Sequence, residues 1–124
     1  MWKLGNLTLE SRLLVGTGHY ADFETMAVVH ERSETEMITL AVRRVDLDAR
    51  HTGNILNHID RSRIHLLPNT AGCFTPEDAV MTAKLAAELL ETQWIKLEVI
   101  GNNDTLQPDV FALVEAARIL SEDG

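Results

Sequence analysis

Four short apolar runs punctuate this chain, at residues 12–15, 37–42, 64–67 and 94–100, and each is closed by a polar or glycine-bearing loop. Runs of this length between turn signals read as buried strands. The intervals between them carry helix signals. Asp22 is placed to cap a helix that runs to about Ser33. Thr75-Pro76-Glu77-Asp78 is a strong helix start: a capping hydroxyl, a proline at the first helical position, and two acids at the positive end of the dipole. That helix is expected to reach about Glu91. Pro108-Asp109 opens a last helix, with Val110, Leu113, Val114, Ala117 and Leu120 along one face. Residues 46–60 are less regular. Ile55, Leu56 and Ile59 give a weak helical stripe, which Gly53 and two asparagines oppose.

The order is strand then helix, four times over. Strands buried on both faces and separated by helices pair in parallel, with right-handed crossovers. The expected fold class is therefore α/β, in a single domain over residues 1–124, with about four parallel strands alternating with helices. A TIM-type (β/α)8 barrel needs eight such units and about 250 residues. This chain of 124 residues holds about half of one.

A net charge of −8 argues against a broad nucleic-acid or anionic-membrane footprint, which needs surplus lysine and arginine. One small phosphorylated ligand is still compatible, because a few local donors can hold a phosphate. Cys73 is the only cysteine, so no disulfide can form within the chain, and a reducing compartment fits. No stretch approaches the roughly 20 apolar residues of a membrane span. A cytoplasmic location is the expectation.

The chemistry concentrates in Trp94-Ile95-Lys96-Leu97-Glu98-Val99-Ile100. Side chains alternate along a strand, so Ile95, Leu97 and Val99 share one face, while Lys96 and Glu98 share the other, about 7 Å apart along it. Both fall near the C-terminal end of the strand, where barrel enzymes keep their reacting groups. A neutral amine can attack a ketone and form an imine, which makes the neighbouring C–H acidic. A carboxylate beside it can take or return that proton. Burial favours the neutral amine and a nearby carboxylate favours the ammonium, so the two effects compete. The alternative reading is a structural ion pair, or a polar strand face that meets water.

Other candidates are weaker. Gly16-Thr17-Gly18 follows the first strand and can let backbone N–H groups approach an anion, or can merely be a tight turn. Asn69 and Thr70 end the third strand and suit a bound hydroxyl or carbonyl. Arg43 and Arg44 end the second, where an arginine can bind a phosphate or carboxylate or simply be solvated. The histidines lack zinc spacing: His51 and His58 lie on the doubtful helix and His65 in a strand. Asp46 and Asp48 lack the glycine and later glutamate of a calcium loop. No metal site is expected, and Cys73 reads as a packed small residue.

Taken in order and at closely similar spacing, Arg12-Leu13-Leu14-Val15-Gly16-Thr17-Gly18, Ala41-Val42-Arg43-Arg44, Leu66-Leu67-Pro68-Asn69-Thr70-Ala71-Gly72 and Ile95-Lys96-Leu97-Glu98-Val99 resemble the bacterial thiazole synthases, N-terminal half. The resemblance implies a role in thiamine biosynthesis, making thiazole phosphate. The implied inputs are 1-deoxy-D-xylulose 5-phosphate, a glycine-derived imine, and sulfur from the C-terminal thiocarboxylate of a small sulfur-carrier protein. It assigns the sugar imine to Lys96 and an acid/base role to Glu98, with no cofactor for this subunit. Gly16, Thr17, Gly18, Arg43, Asn69 and Thr70 remain the candidates for substrate contact from the loop and strand-end pattern above. The chain departs from the family at His19, where lysine is frequent, at Cys73, where a small residue is usual, and at Gln107-Pro108-Asp109-Val110, where the family has Leu-Pro-Asp-Pro.

The family's second half supplies strands five to eight, another catalytic acid and the main phosphate site. Without them, this chain is expected to be an incomplete fragment, inactive alone, with open strand edges that favour a homo-oligomer. Two other functions share the same residues. One is a different Schiff-base-forming barrel lyase of aldolase type. The other is a non-catalytic half-barrel interaction module.

Overall fold

The structure, a computed structural model, describes residues 1–45 and 54–124. Asp46, Asp48, His51 and Gly53 lie outside the described residues. The chain divides into two compact units: Met1–Leu40 with Val45–Leu67, and Ala41–Arg44 with Pro68–Gly124.

The first unit opens with a hairpin that the sequence reading did not anticipate. Strands β1 (Trp2–Leu4) and β2 (Leu7–Leu9) pair antiparallel, with Trp2 opposite Leu9 and Leu4 opposite Leu7. Gly5 and Asn6 make the two-residue turn, with Gly5 at φ 56°. A glycine with positive φ at the first loop position matches the twist that a hairpin needs. Three anchors follow the hairpin. The Trp2 indole donates to the Ser11 carbonyl at 2.7 Å, and the Glu36 carboxylate accepts from the N–H groups of Glu10 and Ser11 at 2.6 and 2.7 Å.

Strands β3 (Leu14–Gly16), β4 (Met37–Ala41) and β5 (His65–Asn69) form one sheet in the order β3-β4-β5, and β3 pairs parallel with β4. Central β4 is the most buried: Met37, Ile38 and Leu40 are almost wholly covered. Each such burial is worth roughly 1.5–3 kcal/mol relative to exposure. Helix α1 (Phe23–Arg32) adds Met26 to this core. It begins where expected because the Asp22 carboxylate accepts from the Thr25 N–H at 2.6 Å. Between β4 and β5 the sequence suggests a helix. The described part is instead two 3-10 turns, Val42–Arg44 and Ile55–His58, the latter capped by Asn54. Over the described residues propensity accounts for this, since Asn54 precedes the stripe and Asn57 falls within it, and both disfavour helix.

The second unit is built on α2 (Pro76–Leu90) and α3 (Val110–Glu122). Thr75 caps α2 by accepting from the Asp78 N–H at 3.1 Å, and Asp109 caps α3 by accepting from the Ala112 N–H at 3.0 Å. Small side chains line their contact. Cys73, Ala79, Val99 and Ala116 are buried together, with Val80, Leu97, Ala112 and Leu113 packed around them.

The expected fourth strand needs correction. Residues 94–100 run beside β5 but meet it in one parallel bridge, Asn69 with Lys96, rather than a ladder. The cause lies in the partner. After Thr70 the chain turns at Gly72 (φ 87°), and the Thr70 carbonyl is taken by the Cys73 N–H at 3.2 Å. The next rung is therefore lost. A parallel three-stranded sheet with helices is an α/β architecture compatible with part of a barrel. Among the described residues, no helix is long and apolar enough to cross a membrane.

Two predictions follow from these local contacts. The Asp22 carboxyl is held below the ordinary carboxylate range by its hydrogen bonds from Thr25. A depressed folded value contributes stability above about pH 4, and that contribution is lost as pH falls through the folded value. Asp22→Asn keeps a cap but removes the titration. Its unfolding free energy in urea should therefore fall less steeply than wild type between about pH 5 and 2; equal slopes would disprove the linkage. Gly101 has a different role. A Cβ there would lie 3.1 Å from the Asp109 backbone nitrogen. Gly101→Ala should lower stability by about 1–3 kcal/mol, read from the urea midpoint.

Candidate active site

In the second unit, the segment that carries Lys96 is sorted into two faces by its neighbours. Leu97 and Val99 enter the apolar cluster under α2 and α3. Lys96 and Glu98 project away from that cluster, and the Lys96 Nζ lies 3.3 Å from Glu98 Oε1. Their side chains are 49% and 34% exposed. An ion pair at this exposure is worth no more than about 1 kcal/mol. It therefore contributes little to the fold, whereas an amine and a carboxylate in contact and open to solvent can meet a ligand. Chemically, the pair offers a nucleophile for a carbonyl and a proton acceptor beside it.

The backbone here is held by residues from the end of β5. Lys96 N–H donates to the Pro68 carbonyl at 2.8 Å, and Thr70 N–H donates to the Lys96 carbonyl at 3.3 Å. Beyond this bridge, the Thr70 side chain takes over. Its hydroxyl donates to the Glu98 carbonyl at 2.8 Å and accepts from the Glu98 N–H at 2.7 Å. Thr70 is fully buried, and its one proton is already given to protein. Asn69 accepts from the Ala71 N–H through Oδ1 at 3.2 Å, shaping the same turn. Exposed Arg43 donates from Nη1 to the Gly72 carbonyl at 2.9 Å. Thus Arg43, Asn69, Thr70, Lys96 and Glu98 all fall in the second unit, with Thr70 on Glu98 and Arg43 on the adjoining turn. The segment ends where Ile100 N–H donates to the Cys73 carbonyl at 2.8 Å, and Cys73 is a buried core residue.

Gly16, Thr17 and Gly18 belong to the first unit. The Thr17 hydroxyl donates to the Thr39 carbonyl at 3.1 Å. A residue that the sequence reading passed over also acts here. Buried His30, one turn after Met26 on α1, places Nε2 3.3 Å from the Gly16 carbonyl, with the Tyr20 ring edge-on to the imidazole. The carbonyl can only accept, so Nε2 carries the hydrogen. The i, i+4 spacing of Met26 and His30 was the available signal for that buried face. Gly16 itself has no positive φ, and a Cβ on it would meet nothing within 4 Å. Neither packing nor backbone conformation calls for glycine there, and its absent side chain leaves open space. Among the described residues, no group of three His, Cys, Asp or Glu side chains could hold a metal ion.

Comparison with known proteins gives a consistent result. A family model described as thiazole biosynthesis protein ThiG matches residues 3–124. The chain is 51% identical over 123 residues to a thiazole synthase of Myxococcus xanthus, covering 99% of this chain and 47% of that protein. It is 53% identical over 114 residues to one from Solibacter usitatus (92% and 44%) and 50% identical over 124 residues to one from Agrobacterium fabrum (100% and 48%). The chain spans about half the length of the curated relatives it matches.

The open space at Gly16 is testable through stability. Gly16→Ala should leave the unfolding midpoint unchanged or raise stability by up to about 1 kcal/mol, since alanine restricts the unfolded chain. A loss would show that glycine serves the fold at this position.

Proposed function

Since this chain belongs to the thiazole biosynthesis protein ThiG family, we propose that it carries the imine-forming residues of a thiazole synthase. The observation that carries this reading is the 3.3 Å approach of Lys96 Nζ to Glu98 Oε1, in a pair too exposed to be important for stability. The substrate of the proposal is 1-deoxy-D-xylulose 5-phosphate. The Lys96 amine adds to the sugar ketone, and water leaves as the C=N bond forms. Glu98 then takes a proton from the carbon next to the imine, and the electron pair is delocalised onto nitrogen. A glycine-derived imine and the thiocarboxylate of a sulfur-carrier protein supply the remaining atoms of the thiazole.

Arg43, whose Nη1 is occupied by the Gly72 carbonyl, and Asn69 are proposed as substrate contacts of the second unit. For the first unit we propose separately that the Gly16-Thr17-Gly18 loop takes an anionic group, supported by the open space at Gly16. Self-association is also part of the proposal. It is supported by exposed Leu13 and Leu14 at the edge strand β3, and by exposed Val110, Phe111 and Val114 on α3.

The test uses the chain joined to the remaining half of the Myxococcus xanthus relative. With 1-deoxy-D-xylulose 5-phosphate and borohydride, Lys96 should be the lysine that gains mass, and Lys96→Ala should abolish the label. Labelling at Lys3 or Lys84 instead would overturn the assignment. Glu98→Gln should still be labelled, but should slow solvent deuterium uptake next to the imine by on the order of 10²-fold or more. Adding the glycine-derived imine and thiocarboxylated carrier should give thiazole phosphate. Cleavage of the sugar chain without it would identify an aldolase-type lyase.

A further inference from the structure

We infer that Thr70 is a positioning residue: its buried hydroxyl aims the Glu98 carboxylate at the Lys96 amine and does not itself bind substrate. This rests on the reading of Lys96 and Glu98 given above.

The argument begins with what the backbone of Glu98 needs. Its N–H and C=O would pair with β5 in a continued parallel ladder. The ladder stops because the chain turns at Gly72, where the Thr70 carbonyl accepts from the Cys73 N–H. Both groups of Glu98 instead reach one side chain, at 2.7 and 2.8 Å from Thr70 Oγ1. A hydroxyl has one proton to give and two lone pairs. With the proton on the Glu98 carbonyl and a lone pair on the Glu98 N–H, Thr70 bonds both polar groups of a single residue. Two bonds on one residue restrain both sides of its Cα, and so the direction of its Cα–Cβ bond.

That direction decides where the carboxylate goes. Lys96 is itself fixed by the bridge to Asn69. The contact between Nζ and Oε1 joins two side chains whose backbones are both anchored to the end of β5, Lys96 to Pro68 and Thr70, and Glu98 to the Thr70 hydroxyl. Without the hydroxyl, the Lys96 end of the pair keeps its anchor and the Glu98 end loses one. Thr70 lies wholly out of contact with solvent, so a substrate could not reach its oxygen without local rearrangement. Reactions that depend on an aligned proton acceptor lose on the order of 10- to 100-fold for a displacement near 1 Å.

Three variants at position 70 and one wild-type measurement test this. Thr70→Val is close to isosteric and can make neither bond; Thr70→Ser can make both. In the joined protein, Thr70→Val should still be labelled at Lys96, but should lower the maximal rate of solvent deuterium uptake next to the imine by about 10-fold or more. The half-saturating concentration of 1-deoxy-D-xylulose 5-phosphate should stay within about twofold, and Thr70→Ser should restore the rate. If Thr70 bound the sugar, half-saturation would rise instead. Independently of any reaction, the Glu98 side-chain carboxyl carbon signal should move in Thr70→Val and return in Thr70→Ser. The Glu98 amide should exchange about tenfold faster in Thr70→Val. Unchanged Glu98 signals in that variant would overturn the inference.

Should Thr70→Val not fold, Thr70→Ala with the wild-type spectrum decides. The wild-type Thr70 hydroxyl proton should be observable, with a nuclear Overhauser contact to Glu98 that survives addition of the sugar phosphate. Its absence, or its loss on adding the sugar, would sink the proposal. A wild-type protein that is never labelled at Lys96 would defeat the imine reading alone, because the carboxyl-carbon and amide measurements report on Thr70 without substrate.

Discussion

A buried N–H that loses its ladder partner must find another acceptor, because leaving it bare costs about 1–3 kcal/mol. At Glu98 that acceptor is a threonine hydroxyl, and much of the second unit follows from the substitution. Because the end of β5 turns away at Gly72, residues 94–100 can follow it for one bridge only. Beyond Glu98, the Ile100 N–H donates to the Cys73 carbonyl. Leu97 and Val99 then drop into the cluster with Ala79 and Ala116, and Lys96 and Glu98 are left on the opposite face. The apolar face secures the segment by burial. The polar face is free of that duty and can be spent on chemistry.

The acidic balance of the chain has a similar local logic. Asp22, Asp109 and Glu36 all point at backbone N–H groups, two at helix starts and one behind the hairpin. Asp60 does the same for Ser62, and its carboxyl is held low by the Ser62 hydroxyl and N–H. These four carboxylates thus serve as acceptors in turns and caps.

Features encoded within a few residues were legible in the sequence. The starts of α1, α2 and α3 were readable because Asp22, Thr75 and Asp109 act on N–H groups three residues away. The meeting of Lys96 and Glu98 was readable because alternation along an extended segment is equally local. Features that depend on distant partners were not. The fourth run looks like a full strand, and nothing within it reveals that its neighbour turns off after Thr70, 28 residues earlier. The same distance hid the engagement of the Thr70 hydroxyl, which looked available for a ligand. The hairpin was missed for another reason. Its strands are three residues each, too short for alternation to stand out, and only Gly5-Asn6 marks it.

The excursion between Ile100 and Pro108 has a further consequence. Its two ends are fastened to each other, by the Ile100–Pro108 bridge and by the Gly101 N–H on the Gln107 carbonyl at 2.8 Å. Everything between them is exposed. Extra residues placed at 103–105 would lengthen a loop whose exit and re-entry points do not move, and each doubling of such a loop costs only about 0.6 kcal/mol. Insertions here should therefore cost this unit little, and a reporter peptide can be grafted at this point while α3 keeps its start at Asp109.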